Sequence, residues 1–94
     1  VNVLEREIER HLVKLVKKHR GLSFKWISTV SGVPDRIVFL ANRIYLVELK
    51  TQSGKLSKRQ EIVFSEIRGH GFDVHVLHSK QDVEEFINEA MRNV

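Results

Sequence analysis

The chain predicts an α/β fold, a mixed four-stranded sheet flanked by helices. Three observations carry that prediction. Apolar residues recur at helical spacing near both ends of the chain and again around residue 62. Two runs rich in β-branched and aromatic residues, "RIVFL" (36–40) and "RIYLVEL" (43–49), are separated by only two residues. The middle helix lies between them and one further strand-like run, so the order αβββαβα combines an antiparallel meander with a right-handed parallel crossover.

Taken in order, Leu4, Ile8, Leu12, Leu15 and Val16 form one stripe of a helix over residues 3–19, and Gly21 after "KKHR" is a stop signal. "SFKWIS" (23–28) predicts a short strand, with Phe24 and Trp26 expected in the core and base stacking as their alternative use. "TVSGVP" is a loop punctuated by Gly32 and Pro34. "AN" (41–42) allows a tight hairpin, Asn42 taking the positive φ that such turns require. "TQSGK" is a loop. Ser57 to Gly69 predicts a helix with Ile62, Val63, Ile67 and Phe64 on its apolar side. Its opening Ser57 and Gln60 match the S-x-x-Q capping box. "FDVHVL" (72–77) is the last strand, and residues 80–93 form a terminal helix.

Composition narrows the function. Ninety-four residues suffice for a single domain, 1–94, with one modest core, which a partner subunit would help to stabilise. The absence of cysteine excludes disulfides, thiolate metal sites and cysteine nucleophiles. No apolar stretch approaches the roughly 18 residues of a membrane span, and the polar N-terminus does not resemble a signal peptide. A cytoplasmic protein without membrane association is the expectation, and the initial Val1 suggests trimming from a longer chain. Sixteen Lys and Arg against twelve Asp and Glu give +4 and a pI near 9.7, a balance suited to a polyanion such as nucleic acid.

The chemistry concentrates around residues 35–50. Alternation along a strand puts Ile44, Leu46, Glu48 and Lys50 on one face and Tyr45, Val47 and Leu49 on the other. A carboxylate on a face that begins apolar costs several kcal/mol unless it is paired, protonated or bound to metal. An ordinary Glu–Lys pair at a strand end is the plain alternative. If the strands pair through the 41–42 turn, residue 36 falls opposite about residue 47, which brings Asp35 beside Glu48. Two such carboxylates repel unless a cation lies between them. Hard oxygen ligands without Cys or clustered His favour Mg²⁺ or Mn²⁺. A turn or capping role is the competing use of Asp35.

The first helix adds two more acids. Glu5 lies about 40° from the centre of the apolar stripe, between Leu12 and Val16, and Glu9 sits at its margin. An inward site role and a flank position reaching back to solvent suit these residues equally. Lys55, Lys58 and Arg59 surround the second helix's N-terminus, a place favourable to phosphate. His75 and His78, three apart on a strand, tend toward opposite faces and make a poor metal pair.

A helix glutamate, G-V-P-D at a strand start, E-L-K ending the next strand and S-x-x-Q opening a helix resemble the PD-(D/E)xK nucleases. More closely, the chain resembles a stand-alone VRR-NUC domain from "LEREIERHL" through "LHSKQDVEEF". The resemblance implies a restriction-endonuclease-like αβββαβ core. It also implies Mg²⁺- or Mn²⁺-dependent hydrolysis of DNA phosphodiesters, especially in four-way Holliday junctions, by a homodimer. Asp35 and Glu48 would then bind metal with the backbone carbonyl of Leu49, and Lys50 would orient or activate water. Glu5 would be the helix acid, with Glu9 as the fallback, and Gln60 an auxiliary polar residue. The loop "STVSGVPD" is shorter than in many relatives. A non-catalytic nucleic-acid-binding module that keeps the fold is the alternative.

Overall fold

The computed structural model describes residues 3–92. Helix α1 spans Glu5–Lys18, β1 Leu22–Lys25, β2 Arg36–Leu40, β3 Arg43–Leu49, α2 Lys58–Gly69, β4 Val74–Leu77 and α3 Lys80–Arg92. The strands form one sheet in the order β1-β2-β3-β4. β1, β2 and β3 make the antiparallel meander, and β4 joins β3 in parallel after the α2 crossover. Arg36 pairs with Val47, the register that the two-residue hairpin implies.

Alternation then sorts the side chains. Val38, Leu40, Val47, Leu49 and Leu77 face α1 and α3, where Ile8, Leu12, Val16, Val83, Phe86 and Ile87 complete the main core. On the opposite face α2 covers β3 and β4, its Val63 and Phe64 packing with Val74, Val33, Leu46 and Val76. Full burial of Phe64 contributes about 1.5–3 kcal/mol.

Several expected boundaries shift for local reasons. Leu4 is extended and exposed, and α1 begins after it, with the Glu7 carboxylate accepting the Leu4 N–H at 2.9 Å. At the other end the left-handed residue is Arg20 (φ 63°), not Gly21. The Gly21 and Arg20 N–H groups bond to Val16 and Lys17 carbonyls, the Schellman pattern with arginine where glycine is usual. Gly21 has another constraint: a Cβ there would lie 2.6 Å from the Phe39 carbonyl oxygen.

Both Ala41 (φ 53°) and Asn42 (φ 63°) take the left-handed conformation in the hairpin, where the sequence marks only Asn42. β1 ends at Lys25, three residues before the expected limit. β4 starts at Val74 because residues 70–73 still close the end of α2, the N–H of Phe72 reaching the Ile67 carbonyl. Ile62 points to solvent, outside the apolar side of α2. Phe24 is exposed too, against the expectation of a core role, and packs edge-on against Phe39. Residue 93 of the expected terminal helix lies outside the described residues.

Candidate active site

Asp35 immediately precedes β2, and Glu48 is the penultimate residue of β3. The hairpin register brings the two together, each accepting a backbone N–H from the other's segment. The Leu49 N–H donates to Asp35 Oδ2 at 2.9 Å, and the Asp35 N–H donates to Glu48 Oε1 at 3.2 Å. Pro34 is buried beside them, and the Trp26 N–H reaches the Asp35 carbonyl at 2.9 Å, closing the 26–35 loop. Gly32 (φ 92°) lets that loop rest on the first turn of α2, since a Cβ would stand 2.9 Å from the Arg59 carbonyl oxygen.

Glu48 is only 1% exposed. Its Oε2 accepts from the Gln60 amide at 3.0 Å and lies 3.5 Å from the Lys50 ammonium. Burial first, and then the negative charge of Asp35, push the Glu48 carboxyl from its ordinary 4.5 up to about 7, against the opposing pull of Lys50. Gln60 also completes the capping box of α2. Its carbonyl accepts the Ser57 N–H at 2.9 Å, and its own N–H donates to Ser57 Oγ at 3.1 Å. The capping bond and the contact with Glu48 are made by one side chain.

The first helix divides its two acids. Glu9 is half-buried and pairs with the Arg36 guanidinium at 2.8 Å, which also donates to Ser23 Oγ at 3.2 Å. Arg36 shares the sheet face of Val38, so this cluster lies on the α1 side, across the sheet from Glu48. Glu5 is exposed, contrary to an inward orientation from periodicity. It precedes Glu9 by about one turn, and the start of α1 borders Thr51–Ser53 and His78–Gln81, beyond the ends of β3 and β4. Glu5 therefore occupies the same end of the sheet as Asp35 and Glu48.

The Arg36 cluster was not visible in sequence. Its only signal is that Arg36 follows Asp35 and must face the opposite side of the sheet. His75 packs against Tyr45 and Phe86, while His78 lies 3.0 Å from the Thr51 carbonyl oxygen. Among the described residues, no group of three or more His, Asp or Glu side chains is assembled as a metal cage.

The Asp35–Glu48 pair nevertheless fits a hard divalent cation. Two carboxylates converge there, one raised in pKa by burial and by the other's charge, and a cation would relieve both penalties. A carboxylate at the start of one inner strand and E-x-K at the end of its neighbour, at one end of a mixed α/β sheet, define a nuclease of the PD-(D/E)xK type. A sequence profile of the VRR-NUC domain matches residues 1–81, and the chain belongs to that family.

Putative nuclease p44 of Acyrthosiphon pisum secondary endosymbiont phage 1 is 38% identical over 80 residues, covering 83% of this chain and 86% of its own. A solved VRR-NUC domain superposes with a TM-score of 0.82 at 25% identity, over 89% of this chain and 94% of that one.

Proposed function

We propose that this protein is a metal-dependent, structure-selective DNA endonuclease that nicks four-way junctions as a homodimer. The observation that carries the chemistry is the buried Glu48, held against Asp35, Lys50 and Gln60 at the end of β3. Asp35, Glu48 and the Leu49 carbonyl would hold Mg²⁺ or Mn²⁺. Such an ion supplies Lewis-acid stabilisation of the phosphate and a lowered pKa for water.

The protein's own groups do the rest. Lys50, on the Glu48 face, orients the attacking water and offsets charge developing on the phosphate. Gln60 holds Glu48 Oε2 in place from the first turn of α2. Lys55, Lys58 and Arg59 provide cations at that helix's N-terminus for the DNA backbone. Glu5, at the same end of the sheet, is the helix acid that completes the site. The basic balance of the chain suits a polyanion, and two identical sites related by a two-fold axis suit a substrate of the same symmetry.

The test uses end-labelled four-way junction, fork and linear duplex, each with Mg²⁺, Mn²⁺ or EDTA, for wild type and Lys50→Ala. Metal-dependent paired nicks on the junction alone, absent in the variant, are expected. Equal cutting of all three substrates would discard junction selectivity. Binding without cutting in either metal would establish a non-catalytic module instead.

A further inference from the structure

One face of the sheet is only half covered. α2 packs over Leu46, Val74 and Val76, but no described helix lies over the same face of β1 and β2. The register places Leu22 opposite Phe39 and Phe39 opposite Ile44, so these three side chains share that open face with Phe24. Phe24 meets Phe39 edge-on at 6.2 Å. Phe72, leading into β4, lines with Leu22, Phe39 and Ile44 a shallow depression of about 980 Å³.

The five side chains Leu22, Phe24, Phe39, Ile44 and Phe72 are between 40% and 66% exposed. At roughly 200 Å² for each large side chain they leave on the order of 600 Å² of contiguous apolar surface in water. That is at the top of the range for a monomer, about 300–600 Å².

The alternation of β1 shows that this surface is built for cover. An edge strand packed on one side normally turns its apolar residues to the core and its polar ones to water. β1 does the reverse: Ser23 faces the α1 side, while Leu22 and Phe24 face the open side. β2 and β3 are apolar on both faces, as in a sheet enclosed by two layers.

We infer that a second copy of this chain supplies the missing layer, packing its own Leu22–Phe24–Phe39–Ile44–Phe72 face on this one about a two-fold axis. The inference rests on the homodimer reading above and names the surface that forms the dimer. The area matches: a standard interface takes about 800 Å² from each partner, an apolar centre with a polar rim. The rim carries both signs of charge: Arg20, Arg43 and Asp73 line the depression, Asp73 lying 3.4 Å from Arg68 of its own chain. Nucleic acid is a poor occupant of such a surface, because its recognition is led by phosphate contacts.

The arrangement also leaves the chemistry free. Ile44 and Glu48 are four residues apart along β3, about 13 Å, so the interface lies toward the hairpin while each Asp35–Glu48 site stays open.

Sedimentation equilibrium over a range of protein concentrations and at low and high salt tests this on wild type, Ile44→Glu, Phe24→Glu and Ile27→Glu. Ile27 is 89% exposed and outside the patch, so its variant controls for an added surface charge. Wild type and Ile27→Glu should sediment at twice 11.0 kDa, with association that survives high salt. Ile44→Glu and Phe24→Glu should weaken dimerisation by about 100-fold or more, since each buries an unpaired charge at an apolar centre. Both altered positions are exposed in the single chain, and circular dichroism should show an unchanged fold.

A wild type that stays monomeric at every concentration, or patch variants that dimerise normally, would overturn the inference. Junction cleavage is scored separately. A dimer broken by the patch variants but indifferent to junctions would uphold this interface and sink junction selectivity. Paired cutting by a monomer would do the opposite.

Discussion

Gln60 reaches Glu48 Oε2 at 3.0 Å with its side-chain amide while its carbonyl accepts the N–H of Ser57 at 2.9 Å. One side chain thus ties the start of α2 to the buried carboxylate of β3. The two functions can be separated by mutation. Gln60→Glu keeps an oxygen for Ser57 but removes the amide donor and sets a second carboxylate against Glu48. Gln60→Ala removes both.

We expect Gln60→Ala to lose about 1 kcal/mol of stability through the lost Ser57 N–H partner, the backbone half of the capping box remaining. Gln60→Glu should keep most of the cap yet lower cleavage at least as far as Gln60→Ala. Chemical denaturation and single-turnover cleavage measure the two effects. Equal stability of both variants with unchanged cleavage would remove Gln60 from the site.

A second prediction concerns pH. The Glu48 carboxyl is raised to about 7 in the metal-free protein. Between 4.5 and about 7 the folded state holds a proton that the unfolded chain has released. Its stabilising contribution is complete below 4.5 and is lost as pH rises through about 7. The metal-free protein should therefore lose on the order of 2–3 kcal/mol from this group between pH 4.5 and 8. Glu48→Gln should be free of that loss and more stable than wild type at pH 8 without metal.

Metal binding should follow the same group. Its affinity should rise with pH up to about 7 and level off above it, as the competing proton leaves Glu48. Thermal melts with EDTA and with Mn²⁺ across this window decide the matter. A flat wild-type profile identical to that of Glu48→Gln would refute the coupling.

Removal of the ammonium has a different signature. Lys50→Ala should reduce cleavage by about 100-fold or more if the lysine orients the attacking water. Melting temperature should change little, because the Lys50–Glu48 contact is long at 3.5 Å and Gln60 still serves Oε2. Full activity in Lys50→Ala would exclude it from the chemistry.

The site and the fold differ in how much of them local sequence encodes. The β2–β3 hairpin was legible because two runs of strand-forming residues flank a two-residue turn, and that spacing alone sets Arg36 against Val47. From this register the meeting of Asp35 and Glu48 follows. The Glu9–Arg36–Ser23 cluster was not legible, since it joins a helix, β2 and β1 whose packing no local pattern specifies.

The end of α1 shows another limit. A glycine after a basic run marks a stop, but Gly21 is required by the nearness of the Phe39 carbonyl, a tertiary constraint, while Arg20 takes the left-handed residue's place. The open apolar face was hidden because a strand apolar on both sides looks the same whether a helix or another chain covers it. Phe24 was misplaced for a different reason: an aromatic on a short strand is usually packed in a core, whereas on β1 it faces the open side.

That misplaced strain gives a further test. Arg20→Gly should stabilise the protein by about 1 kcal/mol, because glycine takes φ 63° without a Cβ penalty. Gly21→Ala should be destabilising, since the Phe39 carbonyl must move from β2 to admit a methyl group. Urea midpoints compare the pair, and a stabilising Gly21→Ala would contradict the packing described.

The last prediction separates the two acids of α1. Glu9 forms a half-buried ion pair with Arg36, so Glu9→Ala leaves a guanidinium with only Ser23 as its described hydrogen-bond partner. That should cost about 1–3 kcal/mol. Cleavage should fall only as far as the folded fraction does. Glu5 is exposed at the first residue of α1, at the end of the sheet that carries Asp35 and Glu48. Glu5→Ala should leave stability within about 0.5 kcal/mol of wild type while reducing cleavage by tenfold or more, with the larger loss at low Mn²⁺. Denaturation and cleavage over a metal titration distinguish the roles. Normal cleavage by Glu5→Ala, together with a loss in Glu9→Ala beyond its stability cost, would transfer the helix acid to Glu9 and require the Arg36 pair to open when DNA binds.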